Sequence, residues 1–260
     1  MKHLSTWLVA LGLLALLGFA LATMPAGALA SPLRRAGIEA SSYDGSIWSG
    51  RATGMTWRGT LVGDVQWTLT ALPLLRGHAS GHTRIVRPDG TLQADYDTNF
   101  RGTDALVRNA TLSLPIETLT TLPLGIPRGW RGRVSGRVDE LRIEQRWPTV
   151  LRGTFDVDEL VAPRPQHAAL GSFHLVFPHP APMQSLSVPR DPANLTAQVV
   201  DKGGPFSVDA QLTLGRQRAF SLDGTLSPRQ SLPPNMQQAL QMLGPPDANG
   251  RRQFSIGGSL

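Results

Sequence analysis

The stretch Gly45–Trp67, GSIWSGRATGMTWRGTLVGDVQW, leaves this chain few ways to fold. Val65, Trp67 and Leu69 alternate with Asp64, Gln66 and Thr68, which gives a strand one apolar and one polar face. Trp48, Trp57 and Trp67 are interleaved with glycines that break strands or permit tight turns and bulges. Trp57–Val65 and Trp130–Val138 share the pattern W-R-G-x-[LV]-x-G-x-V. Two origins fit the match: two similar strand–turn–strand corners in one β domain, or an old duplication.

The same period recurs along the chain. Leu92, Ala94 and Tyr96 alternate with polar residues after Pro88-Asp89-Gly90, and Ala110, Leu112 and Leu114 do so with Thr111 and Ser113. Phe206, Val208, Ala210, Leu212 and Leu214 alternate with Ser207, Asp209, Gln211 and Thr213, the pattern of a half-buried antiparallel strand. Further strands are expected within Val150–Leu160 and Ser172–Phe177. Ala162–Gln166 and Pro178–Pro192 are proline-rich connections. Pro115–Leu122 has room for one or two helical turns between two prolines. Pro233-Pro234 opens a second helix, in which Met236, Ala239, Leu240 and Leu243 form one apolar stripe before Gly244-Pro245 ends it. Phe220–Leu226 and Phe254–Leu260 share F-S-[LI]-x-G-[ST]-L, so the chain should close as strand, helix, turn at Asp247–Gly250, strand.

At the other end, an uncharged apolar run from Trp7 to Met24 follows Lys2. A secretory leader carries a shorter apolar core, and a spanning helix needs about 20 residues. The run is nearer the second, so residues 1–31 are assigned as a tip and uncleaved anchor. Cleavage after Ala30 is the alternative. Either way, residues 32–260 lie outside the cytoplasm.

Composition narrows the chemistry. The chain has no cysteine, which removes disulfides, thiolate zinc sites and iron–sulfur clusters. Its net charge of +6 is nearly all arginine, lysine being confined to Lys2 and Lys202. No basic run exceeds two residues (Arg34-Arg35 and Arg251-Arg252), so no nucleic-acid partner is expected. Scattered solvated arginine is the main reading, with anionic lipid headgroups or an acidic partner as the other users of that charge. There is no G-x-S-x-G, phosphate loop or dinucleotide fingerprint, and the five glutamates form no recognisable acid–base pair. His78 and His82 would sit about 13 Å apart along a strand, too far to share an ion. They are expected in exposed loops, as are His174 and His179. Asp156 and Asp158 read as two solvated acids on one strand face, and the three tryptophans as core or edge anchors.

Several of these segments resemble the type II secretion system protein N family. They are Trp48-Ser49-Gly50-Arg51-Ala52, then Gly63-Asp64-Val65-Gln66-Trp67-Thr68-Leu69, then Leu72-Pro73-Leu74-Leu75-Arg76-Gly77. The closing pattern is similar too: Leu243 and Gly244, Asp247, Gly250-Arg251, Gly258 and Leu260. The resemblance implies a single-pass protein of the bacterial inner membrane with its bulk in the periplasm. It implies an accessory to the export of folded proteins, neither an enzyme nor a binder of cofactor or metal. Its partners would be other secretion components, with membrane lipid and self-association as further interactions. A looser likeness to AsmA-like proteins implies a groove for lipid or another hydrophobic ligand as the alternative. The expected fold is all-β: glycine-punctuated antiparallel sheets in two related halves, about 45–125 and 126–260, with one N-terminal transmembrane helix and a short C-terminal helix.

Overall fold

The structure, a computed structural model, describes residues 12, 16, 18–120, 129–163, 168–178, 194–215, 219–229, 237, 240–241 and 243–259. The chain divides into two compact units, Met1–Pro88 and Asp89–Leu260. Both are built from antiparallel strands joined in chain order, so the all-β expectation holds.

In the first unit, residues 18–22 are helical. A 3-10 turn over Ala26–Leu29 leads into helix α1, Ala30–Arg35. Strands β1 (Ile38–Glu39) and β2 (Ser42–Gly45) pair with successive parts of β3 (Ser49–Trp57), which pairs with β4 (Thr60–Thr70). One turn of helix, α2 (Ala71–Leu74), precedes β5 (His78–Arg87), which returns along β4. The β3–β4 hairpin closes on Arg58 and Gly59, at φ 50° and 80°, the two left-handed positions of a two-residue turn.

The second unit contains β6 (Gly90–Asn99), β7 (Ala105–Pro115), α3 (Ile116–Leu119), β8 (Arg131–Glu144), β9 (Trp147–Val161), β10 (Ala169–Phe177), β11 (Leu195–Gly203), β12 (Phe206–Leu214), β13 (Ala219–Pro228) and β14 (Arg252–Ser259). Each strand pairs with its neighbour in sequence. The expected helix after Pro115 is a single turn, with Ile116 buried.

Period-two alternation sets the core. Register places Leu195 opposite Leu214, Ala197 opposite Leu212 and Val199 opposite Ala210. Leu195, Ala197 and Phe177 form a buried cluster, against which Leu151, Phe155, Leu175, Leu212 and Leu214 pack. The rings of Phe155 and Phe177 meet edge-on, 5.9 Å apart and inclined at 86°. Among the described residues, no large side chain of this face is fully enclosed, and the most deeply buried positions are alanines.

The paired F-S-x-x-G strings acquire a physical meaning here. They lie side by side as β13 and β14, with Phe220 opposite Gly258, Leu222 opposite Ile256 and Gly224 opposite Phe254. Antiparallel pairing of one pattern with itself sets each phenylalanine beside the other strand's glycine. The Phe220 ring fills the space above Gly258, where a Cβ would come within 2.8 Å of it.

Three expectations are corrected. The two W-R-G strings are not equivalent corners: the first is a hairpin turn, whereas the second enters β8 where the register shifts, Gly132 facing the two β9 residues Glu159 and Leu160. Leu243 is exposed instead of completing a buried stripe, because the chain leaves the helix there, its amide bonding Leu240 O just before Gly244 at φ 90°. Leu240 is buried as expected, while Met236, Ala239 and Leu260 lie outside the described residues. Asp64, read as solvated, accepts the Gly54 amide at 2.9 Å and satisfies the backbone where the β3–β4 register shifts.

Asp201 carries the sharpest polar contact. Its side chain is 7% exposed. It accepts the amides of Gly203 and Val208, and Arg229 reaches it at 2.6 Å, tying the β11–β12 turn to the end of β13. Asp201→Ala should therefore cost about 1–3 kcal/mol, because it leaves the Gly203 and Val208 amides without their acceptor. Exposed Asp209→Ala should stay within about 0.5 kcal/mol. Urea unfolding of both variants checks this, and equal midpoints would refute it.

Candidate functional site

The Trp48 segment forms a hydrogen-bonded junction between the N-terminal helix and the sheet. A helix ends with carbonyls that have no partner inside it. The indole N–H of Trp48 donates to Leu21 O at 2.9 Å. Ile47 N–H donates to Met24 O at 3.0 Å, and Pro25 bridges to Ser46. On the sheet side, Leu69 N–H bonds Trp48 O at 2.6 Å, and the Trp67 indole N–H donates to Ile47 O at 3.0 Å. One turn, Ser46-Ile47-Trp48, thus holds the helix end with one set of groups and β4 with another.

Glycine makes the junction possible. Gly50 lies opposite Trp67, and a Cβ there would meet Trp67 Cζ2 at 2.6 Å and two backbone oxygens at 2.8 Å. Gly63 sits at φ 114°, with the Val86 carbonyl 2.5 Å from where its Cβ would be. Val65 is buried next to it, as its place on the apolar face of β4 requires.

The other face of these strands is polar. Register sets Asp44, Arg51, Gln66 and Arg84 in a row across β2 to β5, with Ser49, Thr68 and His82 beside them. They line an open cleft together with Gly50 and Trp67. Neither Arg51 nor Arg84 makes an ion pair among the described residues. Beyond the row, the β4–β5 connection ends at Gly77, φ 81°, and presents Leu75 to solvent.

The sequence motifs therefore separate. Trp48, Ser49, Gly50, Arg51, Gly63, Val65, Trp67, Leu75 and Gly77 belong to the first unit. The closing residues belong to the second, where they build a turn: Asp247 accepts the amides of Asn249 and Arg251, Gly250 N–H bonds Asp247 O, and Gly258 lies on β14.

Sequence reasoning missed a polar cluster on β9 to β11. His174 is not in an exposed loop: it lies half-buried on β10, opposite Asp156, and its Nδ1 donates to Asp156 Oδ1 at 2.7 Å. Lys202 Nζ approaches the same oxygen at 3.0 Å and Asp158 Oδ1 at 4.0 Å. The His174 hydrogen bond holds the Asp156 carboxyl below its usual pKa, and Lys202 adds to this against the opposing effect of burial. Only cross-strand register brings these residues together, and that is not visible in local spacing. His78 and His82 likewise lie on a strand, β5, while His179 lies outside the described residues. Among the described residues, no three metal-ligating side chains are grouped so as to hold an ion.

The family profile described as "Type II secretion system (T2SS), protein N" matches residues 36–255. A type II secretion system protein N of Vibrio cholerae serotype O1 is 25% identical over 244 residues, 91% of each chain. Its counterpart from Aeromonas hydrophila is 26% identical over 249 residues, 94% of each. No solved structure matches.

Two tests address this geometry. Gly50→Ala should destabilise by about 1–3 kcal/mol, because the atoms it meets are an indole and backbone and cannot step aside. Gly27→Ala, which meets nothing within 4 Å, should stay within about 0.5 kcal/mol. Equal unfolding midpoints would refute the close approach at Gly50. The second test concerns acid. Asp156 has a folded pKa below its unfolded one, so its contribution is present at neutral pH and is lost as pH falls below about 4, through the lowered value. Asp156→Asn should flatten the acid limb of a stability–pH curve, and an unchanged limb would contradict the His174 contact.

Proposed function

The chain belongs to the type II secretion system protein N family, and we propose that it is a non-catalytic accessory of that system, anchored in the inner membrane and working in the periplasm. The observation that carries this reading is the bond from Trp48 to Leu21 O. A flexibly tethered domain would need no such contact. Here the helix end is built into the first strands, as suits a part that must hold its sheet at a fixed height and angle over the bilayer.

The anchor itself is inferred from sequence. Among the described residues no helix is long and apolar enough to cross a membrane, and most of the Trp7–Met24 run lies outside them. The helical residues Leu16, Phe19 and Leu21 that are described all expose their side chains, as a helix intended for lipid does. The sheet would act by binding other secretion components. Its long ladders offer extended surfaces, with Arg51 and Arg84 in register on the first unit and Asp156 and Lys202 paired on the second.

The experiment is export in cells. A strain lacking this chain should retain type II substrates that the parent releases folded into the medium. The full chain should restore release. A chain whose residues 1–24 are replaced by a cleaved leader should not, because the sheet would no longer be held at the membrane. Normal release without the chain would overturn the accessory role, and full rescue by the leader version would overturn the need for the anchor.

A further inference from the structure

The connection between β4 and β5 is unusual in what it shows to solvent. It is Ala71-Leu72-Pro73-Leu74-Leu75-Arg76-Gly77, one turn of helix and a tight exit. Leu72 is 74% exposed and Leu75 is 85% exposed. Three residues apart on a helical turn, they share one side. Single exposed leucines are ordinary on a protein surface. Two at the tip of one short connection, with arginine next, form an amphipathic point.

The position of that point gives it meaning. Leu69 N–H bonds Trp48 O, and the Trp48 indole bonds Leu21 O at the end of the N-terminal helix. Three residues span at most about 11 Å, so Leu72 stays within that reach of Leu69. The exposed leucines therefore project from the end of the sheet at which the apolar helix terminates. Met24, also exposed, lies at this end through its bond to Ile47.

Charge points the same way. Residues 34–88 hold seven arginines against three carboxylates, whereas residues 89–260 hold seventeen basic side chains against sixteen acidic ones. The excess of positive charge thus belongs to the unit that carries the helix end. Within that unit Arg76 stands beside the leucines, and Arg84 and Arg51 follow a few residues along the strands behind them. Exposed leucines with guanidinium groups next to them complement an anionic bilayer, apolar groups going to the acyl boundary and guanidinium groups to phosphate. Arginine is suited to this, since its stem can lie along the apolar layer while its head stays among the headgroups.

We propose that the Ala71–Gly77 connection is a membrane-inserting prong: Leu72 and Leu75 enter the headgroup–acyl boundary of an anionic phospholipid bilayer, and Arg76 pairs with lipid phosphate. This rests on the membrane-anchored reading above and adds to it a second point of attachment, which stops the first unit from turning about the helix axis. The prong is an orienting device, and it assigns a role to the L-P-L-L-R-G segment.

The chain has no cysteine, so single cysteines can carry a fluorophore at chosen sites. The full chain is reconstituted into vesicles of equimolar phosphatidylcholine and phosphatidylglycerol, with an environment-sensitive label on Leu16→Cys, Leu72→Cys, Leu75→Cys or Leu61→Cys. Leu61 is exposed too, but it lies at the far end of β4, roughly 26 Å along the strand from Leu69. Lipids bearing a nitroxide high on the acyl chain serve as quencher. Labels at 16, 72 and 75 should emit blue-shifted and lose most of their emission, while the label at 61 should remain aqueous. Quenching at 72 and 75 should weaken in vesicles of phosphatidylcholine alone. A quenched label at 16 with aqueous labels at 72 and 75 would overturn the prong and leave the anchor standing. Aqueous labels at all four sites would overturn the anchor, and the prong with it. Equal quenching at 61 would show non-specific adsorption and also overturn the prong. Quenching at 72 and 75 that is indifferent to phosphatidylglycerol would overturn the pairing with anionic lipid.

Discussion

A helix that ends against a sheet leaves carbonyls that must find donors, and the tryptophan indole at position 48 supplies one. Everything in the first unit is arranged so that it can. Trp48 sits in a turn whose own carbonyls are taken by Leu69 and Trp67, so the turn cannot move without breaking bonds to β4. Gly50 removes the Cβ that would push Trp67 away, and Gly63 admits the Val86 carbonyl beside β4. An indole suits this place because its N–H, at the far side of a large ring, reaches the Leu21 carbonyl from the turn.

The second unit answers a different constraint. Backbone groups in a strand must be paired, and here each strand takes its partner from its neighbour in sequence. Such connectivity keeps loop-closure cost low along the ladder. Side chains then divide by parity: the apolar cluster around Phe177 on one face, the His174–Asp156–Lys202 group on the other. Ionic contacts at the ends, above all Asp201 with Arg229, close turns that glycine leaves pliable.

Much of this is legible in the sequence because period two is a local signal. The strands around Leu92, Ala110 and Phe206, the turn at Asp247–Gly250 and the single helical turn after Pro115 are all encoded by neighbouring residues. Features that depend on register are not. Asp64 looks solvated among its alternating neighbours, yet it faces the amide freed by a bulge in the adjoining strand. His174 looks like a loop residue beside Pro178, yet pairing with β9 sets it against Asp156. The W-R-G strings are alike in letters but differ in backbone: Arg58 and Gly59 are both left-handed, while Gly132 alone is so in the second string. Trp48 is the largest omission. Its acceptor lies 27 residues earlier, in a segment read only for its hydrophobicity.

In this type II secretion component the first strands are joined to the end of the N-terminal helix by an indole hydrogen bond. The direct measurement is hydrogen exchange at the tryptophan indole N–H groups of the full chain in a lipid nanodisc, read by NMR with nitrogen-labelled tryptophan. The Trp48 signal, identified by its loss in Trp48→Phe, should exchange slowly, as should that of Trp67. Exchange at Trp48 as fast as that of a free indole, with Trp67 still protected, would contradict the junction: the sheet would then be folded but merely tethered.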